Sequence, residues 1–412
     1  IHCGLVGSEM CIRDSPQNSV WKNRSFMVLF SSALFVAFSA QIYNLALPLL
    51  VYELTQSSQM MGWMRAVEFL PNLLLALFIG VWVDRVDKKR WSQMMLLGQL
   101  LMVLSCYFAV EWLDNPLWVL FPSAFFMMAC NYGYHNARMA MRKNGIPHEL
   151  QNTAIARMSS LSSFMETVGP VLSGALMLLS AIHNVFLGVA AMLVLAYWQL
   201  EKLALVKPEP KPHPPVLKAL AEGWAILRAE TNMWYITLAV MVINTTGAIF
   251  WIQSIFYAKS TLSLNSVEVS YLIAASGVGG LLGSFTADKI RTKFGLGQLL
   301  IASIALEAFG FLIPLVLPGV WSLVFAFLWI SAIGLYSSIC IWSYRQEAFD
   351  EQCLGRLTGI TGSLFKLLMP FGLAASGYMV ASFGEQAVFV SCFILQLLVA
   401  LILLFSRIRF IQ

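Results

Sequence analysis

Charge is what this chain has least of. Asp, Glu, Lys and Arg make up 11% of its 412 residues, where soluble domains carry roughly 25%. Too few polar side chains remain to clothe a water-facing surface, which excludes a large soluble protein. The 7 Cys include no Cys-x-x-Cys pair and no His at ligand spacing, so no metal site is read here. Cys106, Cys130, Cys340 and Cys392 sit inside apolar runs and read as small core residues. There is no Gly-x-x-x-x-Gly-Lys-Ser/Thr loop, which excludes ATP as a fuel by that route. No His, Cys and acid cluster stands at one depth of the chain, so an enzyme is not expected and no cofactor is implied.

What the chain has instead is apolar runs of about 20 residues, each long enough to cross about 30 Å of hydrocarbon as a helix. They fall at Phe26–Val51, Met60–Val83, Trp91–Trp112, Leu117–Ala137, Ala154–Ala181 and Val185–Leu205, then at Met233–Ala258, Val267–Ala287, Leu296–Leu317, Val320–Tyr344, Leu354–Ser382 and Ala387–Phe405. The pattern predicts an all-α membrane protein with twelve transmembrane helices in two pseudo-symmetric bundles of six. Of the 26 Lys and Arg, Arg65 and Lys259 fall on one face and Lys366 within the bilayer; the other 23 fall on the opposite face or the termini. That asymmetry places the crowded face and both chain ends in the cytoplasm of a bacterial-type inner membrane. The net charge of +5 therefore speaks of orientation rather than of nucleic acid.

Residues 1–15 stand outside this pattern and are expected to be a non-native tail. A first bundle is expected over 16–205 and a second over 231–412. Between them, 206–230 opens on Lys207-Pro208-Glu209-Pro210-Lys211-Pro212, a stiff polyproline spacer. Leu217, Leu220, Trp224 and Leu227 then recur at helical spacing, which reads equally as an interfacial amphipathic helix or as an ordinary linker helix.

The halves echo each other. Gly80-Val81-Trp82-Val83-Asp84-Arg85-Val86-Asp87-Lys88-Lys89-Arg90 returns in degenerate form as Gly283-Ser284-Phe285-Thr286-Ala287-Asp288-Lys289-Ile290-Arg291. Glu166 in the fifth run matches Lys366 in the eleventh, each four residues before a Pro. Tandem halves of six spans are a transporter pattern.

The Gly-x-x-x-Asp-Arg-x-x-Lys-Lys-Arg stretch resembles the loop between the second and third helices of major facilitator superfamily transporters. The family's commoner loop has Gly where this chain has Asp87. Arg24 to Arg90, with Ala46-Leu47-Pro48-Leu49-Leu50 and Phe69-Leu70-Pro71, looks like the opening of the macrolide-efflux and enterobactin-exporter-like branch. The resemblance implies the major facilitator fold and alternating access. It implies that Asp84 docks on the N-terminus of the eleventh helix, near Leu354-Gly355-Arg356, as a latch that holds the outward-open state. Gly80, Arg85, Lys88, Lys89, Arg90 and the repeat copy Asp288 belong to that latch region.

Ionisable groups inside the bilayer each cost at least a few kcal/mol unless paired or wet. Glu166 and Lys366 are expected to face each other across a central cavity, either as a proton or substrate site or as a structural pair. Glu68 has Arg65 three residues before it, as a local pair or a gate. Glu307 lies in the ninth helix, peripheral in the family, and is expected to pair locally or hold a proton. Cavity lining is assigned by resemblance to Gln41, Asn44, Asn131, Tyr132, Asn244, Thr245, Trp342 and Tyr344. Gly169-Pro170 resembles the kink motif of drug exporters, and equally fits a bend needed for packing.

The expected activity is proton-driven export of a small amphipathic compound, drug-, macrolide- or siderophore-like. An uptake symporter of the same fold is the alternative; a receptor or membrane enzyme stands further off. The partners implied are the bilayer, a small-molecule substrate and protons. If Asp84 is a latch, Asp84→Asn shifts the protein toward cytoplasm-open states, and thiol probes reach cytoplasmic cysteines faster; unchanged accessibility argues against the latch.

Overall fold

The computed structural model describes residues 19–75, 83, 86–178, 181–203, 216–317 and 319–411. In the first half, α1 (Arg24–Thr55), α2 (Ser58–Leu74), α3 (Lys88–Trp112), α4 (Leu117–Gly145), α5 (His148–Met177) and α6 (Val185–Glu201) follow one another through short connections. A connecting helix, α7 (Val216–Ala229), leads to α8 (Thr231–Ser260), α9 (Ser266–Lys293), α10 (Leu296–Gly310) with the short α11 (Ile313–Val316), and α12 (Val320–Ala348). The last stretch is α13 (Glu351–Leu364) and α14 (Met369–Leu404). α14 is two helices joined at Gly384, whose φ of 80° only glycine adopts without strain.

Eight stretches among the described residues are long and apolar enough to cross a membrane, and the 357–404 stretch holds two passes about Gly384. α2, α4 and α5 bring the arrangement to the expected twelve. α4 and α5 are less apolar because each carries polar residues through its middle, such as Asn131, His135 and Asn136 on α4.

The packing repeats itself. In the first half α1 lies on α5 and α6, α3 on α4 and α6, and α2 on α4. In the second half α8 lies on α14, α10 on α12 and α14, and α9 on α12. The two halves meet along two seams, α2 against α14 and α5 against α9. Lipid tails are as apolar as leucine, so these seams gain from close van der Waals fit and interhelical hydrogen bonds rather than from expulsion of water. Small residues supply the fit. A Cβ on Gly62 would stand 2.6 Å from the Leu373 carbonyl oxygen, and one on Gly277 would stand 2.3 Å from the Thr167 Cα.

Side-chain capping starts the helices where the sequence breaks. Asp87 accepts a hydrogen bond from the Arg90 N–H at 2.9 Å and so caps α3. Lys89, named in the latch region, donates to the carbonyls of Glu201 (2.6 Å) and Leu203 (3.0 Å) at the end of α6. Asn265 and Glu268 form a reciprocal capping box on α9. α13 begins at Glu351, ahead of the expected Leu354. Gly80, Asp84, Arg85 and the side chain of Asp288 lie outside the described residues.

The seams are tight on the face opposite the basic loop. There the Ser58 hydroxyl donates to the Gly377 carbonyl at 3.1 Å and the Trp63 indole donates to the Tyr378 hydroxyl at 3.2 Å. Lys259 lies 4.0 Å from Glu53 across α8 and α1. On the other seam Gly174 abuts Ser270, and Thr167 Oγ1 lies 3.4 Å from the Gly277 carbonyl. A methyl group on Gly377 would fall 2.7 Å from the Gln59 Cα and the Ser58 carbonyl oxygen, both backbone. Gly377→Ala is therefore expected to wedge this seam, costing the closed form about 1–3 kcal/mol. That shifts the population about 5- to 150-fold toward a form open on this face. Labelling of a cysteine placed at Trp251 by an impermeant thiol reagent added from this side measures it; an unchanged labelling rate counts against the seam as the closing element.

Candidate functional site

Where the eleventh span passes mid-depth it stops being a helix. α13 ends at Leu364 and α14 starts at Met369. Pro370 has no N–H to give, and the preceding residues tighten into i to i+3 bonds, with the Met369 N–H donating to the Lys366 carbonyl at 3.2 Å. That leaves the Phe365 carbonyl without its helical donor. The Asn244 side-chain amide of α8 supplies one, at 3.0 Å. Unwound backbone at membrane depth is tolerated only where it is satisfied and lines a cavity. Here it does both, and it projects Lys366 from the break.

The cavity has a volume of about 750 Å³ and lies between the halves, beneath the closed seams. α1 contributes Gln41 and Asn44, α5 contributes Ser163, Thr167 and Pro170, and α8 contributes Asn244 and Trp251. α9 and α12 contribute a band of small polar residues that includes Ser276, Ser284, Ser331 and Ser338. Among the described residues, Lys366 and Glu307 are the titratable side chains on its wall. No carboxylate among the described residues lies within ion-pair distance of Lys366. The Glu166 side chain lies outside the described residues; Thr167 and Pro170 beside it on α5 face the cavity. Gly169 is where α5 touches α1, since a Cβ there would meet Gln41 Cγ at 2.6 Å.

The eight residues assigned to the lining divide. Gln41, Asn44 and Asn244 are on the wall. Asn131, Tyr132, Thr245, Trp342 and Tyr344 are not. Thr245 is turned into the packing, bonded to the Met241 carbonyl and set against Gly372. Trp342 is 55% exposed on α12, one turn beyond the lining residue Ser338, with the Arg345 guanidinium 4.7 Å from its ring. Tyr344 donates to Glu230 Oε1 at 2.9 Å, near the base of the second half. Asn131 and Tyr132 sit on α4 one turn before His135, whose ring nitrogen lies 3.2 Å from the Arg138 guanidinium. Glu307, expected to pair locally or hold a proton, has Gln396 against its carboxyl and no cation partner among the described residues, and it reaches the cavity wall from the ninth span.

Glu68 is wholly buried and accepts from Arg65 at 2.8 Å, a local pair. The same guanidinium lies 4.8 Å from the Trp251 ring centroid across the seam and 5.4 Å from that of Phe69. It thus joins the halves directly above the cavity. Sequence reasoning did not single out Trp251, the serine band or His135. The serine band had a signal: Ser276, Gly277, Gly280 and Ser284 recur at helical spacing on one stripe of α9.

A family model described as Major Facilitator Superfamily matches residues 29–369. Macrolide efflux protein A of Streptococcus pyogenes is 25% identical across 88% of this chain and 91% of its own length. Enterobactin exporter EntS of Escherichia coli O1:K1 is 28% identical over 42% of each chain. Among solved structures, a bacterial homologue of the iron transporter ferroportin, in an inward-facing state, superposes with a TM-score of 0.72 at 13% identity. That match covers 94% of this chain and 100% of the other, and shows the fold.

Asn244→Leu removes the donor to the Phe365 carbonyl and is expected to lower stability by about 1 kcal/mol, the usual size of an interhelical hydrogen bond in membranes. Asn244→Ala, which also cannot donate, should behave alike. Thermal unfolding of the purified protein reads both; wild-type midpoints would show that the break is held by something else.

Proposed function

The chain belongs to the Major Facilitator Superfamily, and from that premise we propose that it exports small amphipathic compounds from the cytoplasm by exchange for protons. The observation that carries this reading is Lys366, projected from an unwound turn into a cavity walled by amides, hydroxyls, aliphatic side chains, Trp251 and Glu307. Such a wall suits a substrate rich in hydrogen-bonding oxygens with an apolar body. Relatives named for macrolide and enterobactin export handle compounds of that general kind. The Lys- and Arg-rich face is the cytoplasmic one by the positive-inside rule. The tight seams then lie outside, and the cavity opens to the cytoplasm, where an exporter loads.

In the opposite state the outer seams part and the basic face closes. Asp84 settling on the N-terminus of α13 is the proposed latch of that state. Glu166, the repeat counterpart of Lys366, is the proposed carboxylate on the facing wall. Each side of the cavity then offers one charge, and a substrate or proton that engages one changes the cost of leaving the other buried.

Collapse of the proton gradient in cells is the direct test. Accumulation of an exported dye, macrolide or siderophore should rise; a fall would identify an uptake symporter. Lys366→Met keeps the stem and removes the charged donor. It should lower transport at least about tenfold, the loss expected for a hydrogen bond to a charged group. Transport at the wild-type rate would remove Lys366 from the site.

A further inference from the structure

Glu307, on the tenth of the helices in chain order, is 5% exposed. Its Oε2 atom is buried and has no hydrogen-bond partner. The groups that face it are few. Gln396 of α14 lies against the carboxyl, and its own oxygen accepts from Thr246 of α8 at 2.8 Å. From α12 comes Gly334, at which a Cβ would stand 3.2 Å from Glu307 Oε1. No Lys, Arg or His from α8, α12 or α14 is paired with it among the described residues. Lys366 is the one other titratable group on the cavity wall among those residues.

Gly334 is the telling position. α12 passes between α10 and the cavity, and a residue with a side chain there would screen the carboxyl. With glycine, the wall has a window, and both Gly334 and Glu307 line the cavity. We propose that Glu307 is a proton-binding site of the second half, which exchanges its proton with cavity water through the window at Gly334. The occupant is a proton rather than a metal cation. Hard cations gather six or more oxygens, whereas the oxygens here are the carboxyl pair and an amide oxygen already engaged by Thr246. A bare carboxylate at this depth is costly, and a proton removes that cost with one bond. The Gln396 and Thr246 contacts tie the site to α8 and α14, the helices that carry Asn244 and follow the break at Lys366. Protonation is thereby placed where it bears on the helices that surround the substrate.

This deepens the proton-driven reading but is tested without transport, so the two can fail separately. Infrared difference spectra of the purified protein between acidic and alkaline pH report protonated carboxyl groups directly. The wild-type protein should show a carboxylic C=O band that bleaches at alkaline pH, and Glu307→Gln should lose one component of it. Glu307→Asp should retain a displaced band. Gly334→Ala should keep the band but slow its deuterium shift severalfold. Replacing sodium by choline should leave the band unaltered. An identical band in Glu307→Gln overturns the site, wild-type exchange in Gly334→Ala overturns the window, and a band that moves with sodium overturns the proton as occupant. If Glu307→Gln does not fold, the displaced band of Glu307→Asp and the exchange rate of Gly334→Ala decide the matter.

Discussion

A backbone amide or carbonyl in hydrocarbon has no water to turn to, and this constraint organises the molecule. It makes every crossing a helix. It also makes any interruption informative, because an interruption needs a donor or acceptor brought from another helix. The break at Phe365–Leu368 meets that demand with one amide, Asn244, on the neighbouring α8. The proline that creates the break thus creates a dependency between two helices, and the lysine within it is held at mid-depth as a consequence. The site is a by-product of keeping backbone groups satisfied around an irregular turn.

The second constraint is that the halves must hold together weakly. Their seams are made from glycine against backbone and from single hydrogen bonds, such as Ser58 to Gly377. Close approach of backbones gives dispersion contacts over a short length, with little buried charge to break. The exception is Arg65, which is neutralised within its own helix by Glu68 and reaches across only through the face of Trp251. A cation resting on a ring can leave without stranding an ion pair. Seams of this kind suit two states of similar energy, whose balance a ligand shifts by binding one of them better.

Much of this was legible in the residues. The spans follow from run length, and the halves from the recurrence of the Asp84 stretch at Asp288 and of Glu166 at Lys366. Helix rotation was less legible. A helix such as α8 or α12 is apolar all round, so no amphipathic stripe says which side faces the cavity. Hence Thr245, chosen for polarity, turned out to face into packing and Trp342 to lie one turn beyond the lining residue Ser338, while Trp251, seven residues from Asn244, faces in. Asp87 and Lys89 show the same difficulty in a loop. Both belong to a stretch that resembles a functional motif, yet one caps α3 and the other caps α6. Charge in a short connection serves helix ends first, and the sequence alone does not separate the two uses.

Among the described residues on the cavity wall, the titratable groups are not shared evenly between the halves. Among the described residues, the first half offers the cavity amides and hydroxyls, Gln41, Asn44, Ser163 and Thr167, while the titratable groups, Lys366 and Glu307, come from the second. Amides bind without changing state, and so give the same wall to substrate in every step of a cycle. Lysine and glutamate can gain or lose a proton, and each sits where a small change of packing alters its access to water: Lys366 in a turn tied to α8 by the Asn244 hydrogen bond, Glu307 behind one missing side chain. The proposed Glu166 carboxylate on α5 sets a first-half charge opposite them, so the proposed coupling of the cycle runs through α5 as well as through α8, α10, α12 and the break before α14.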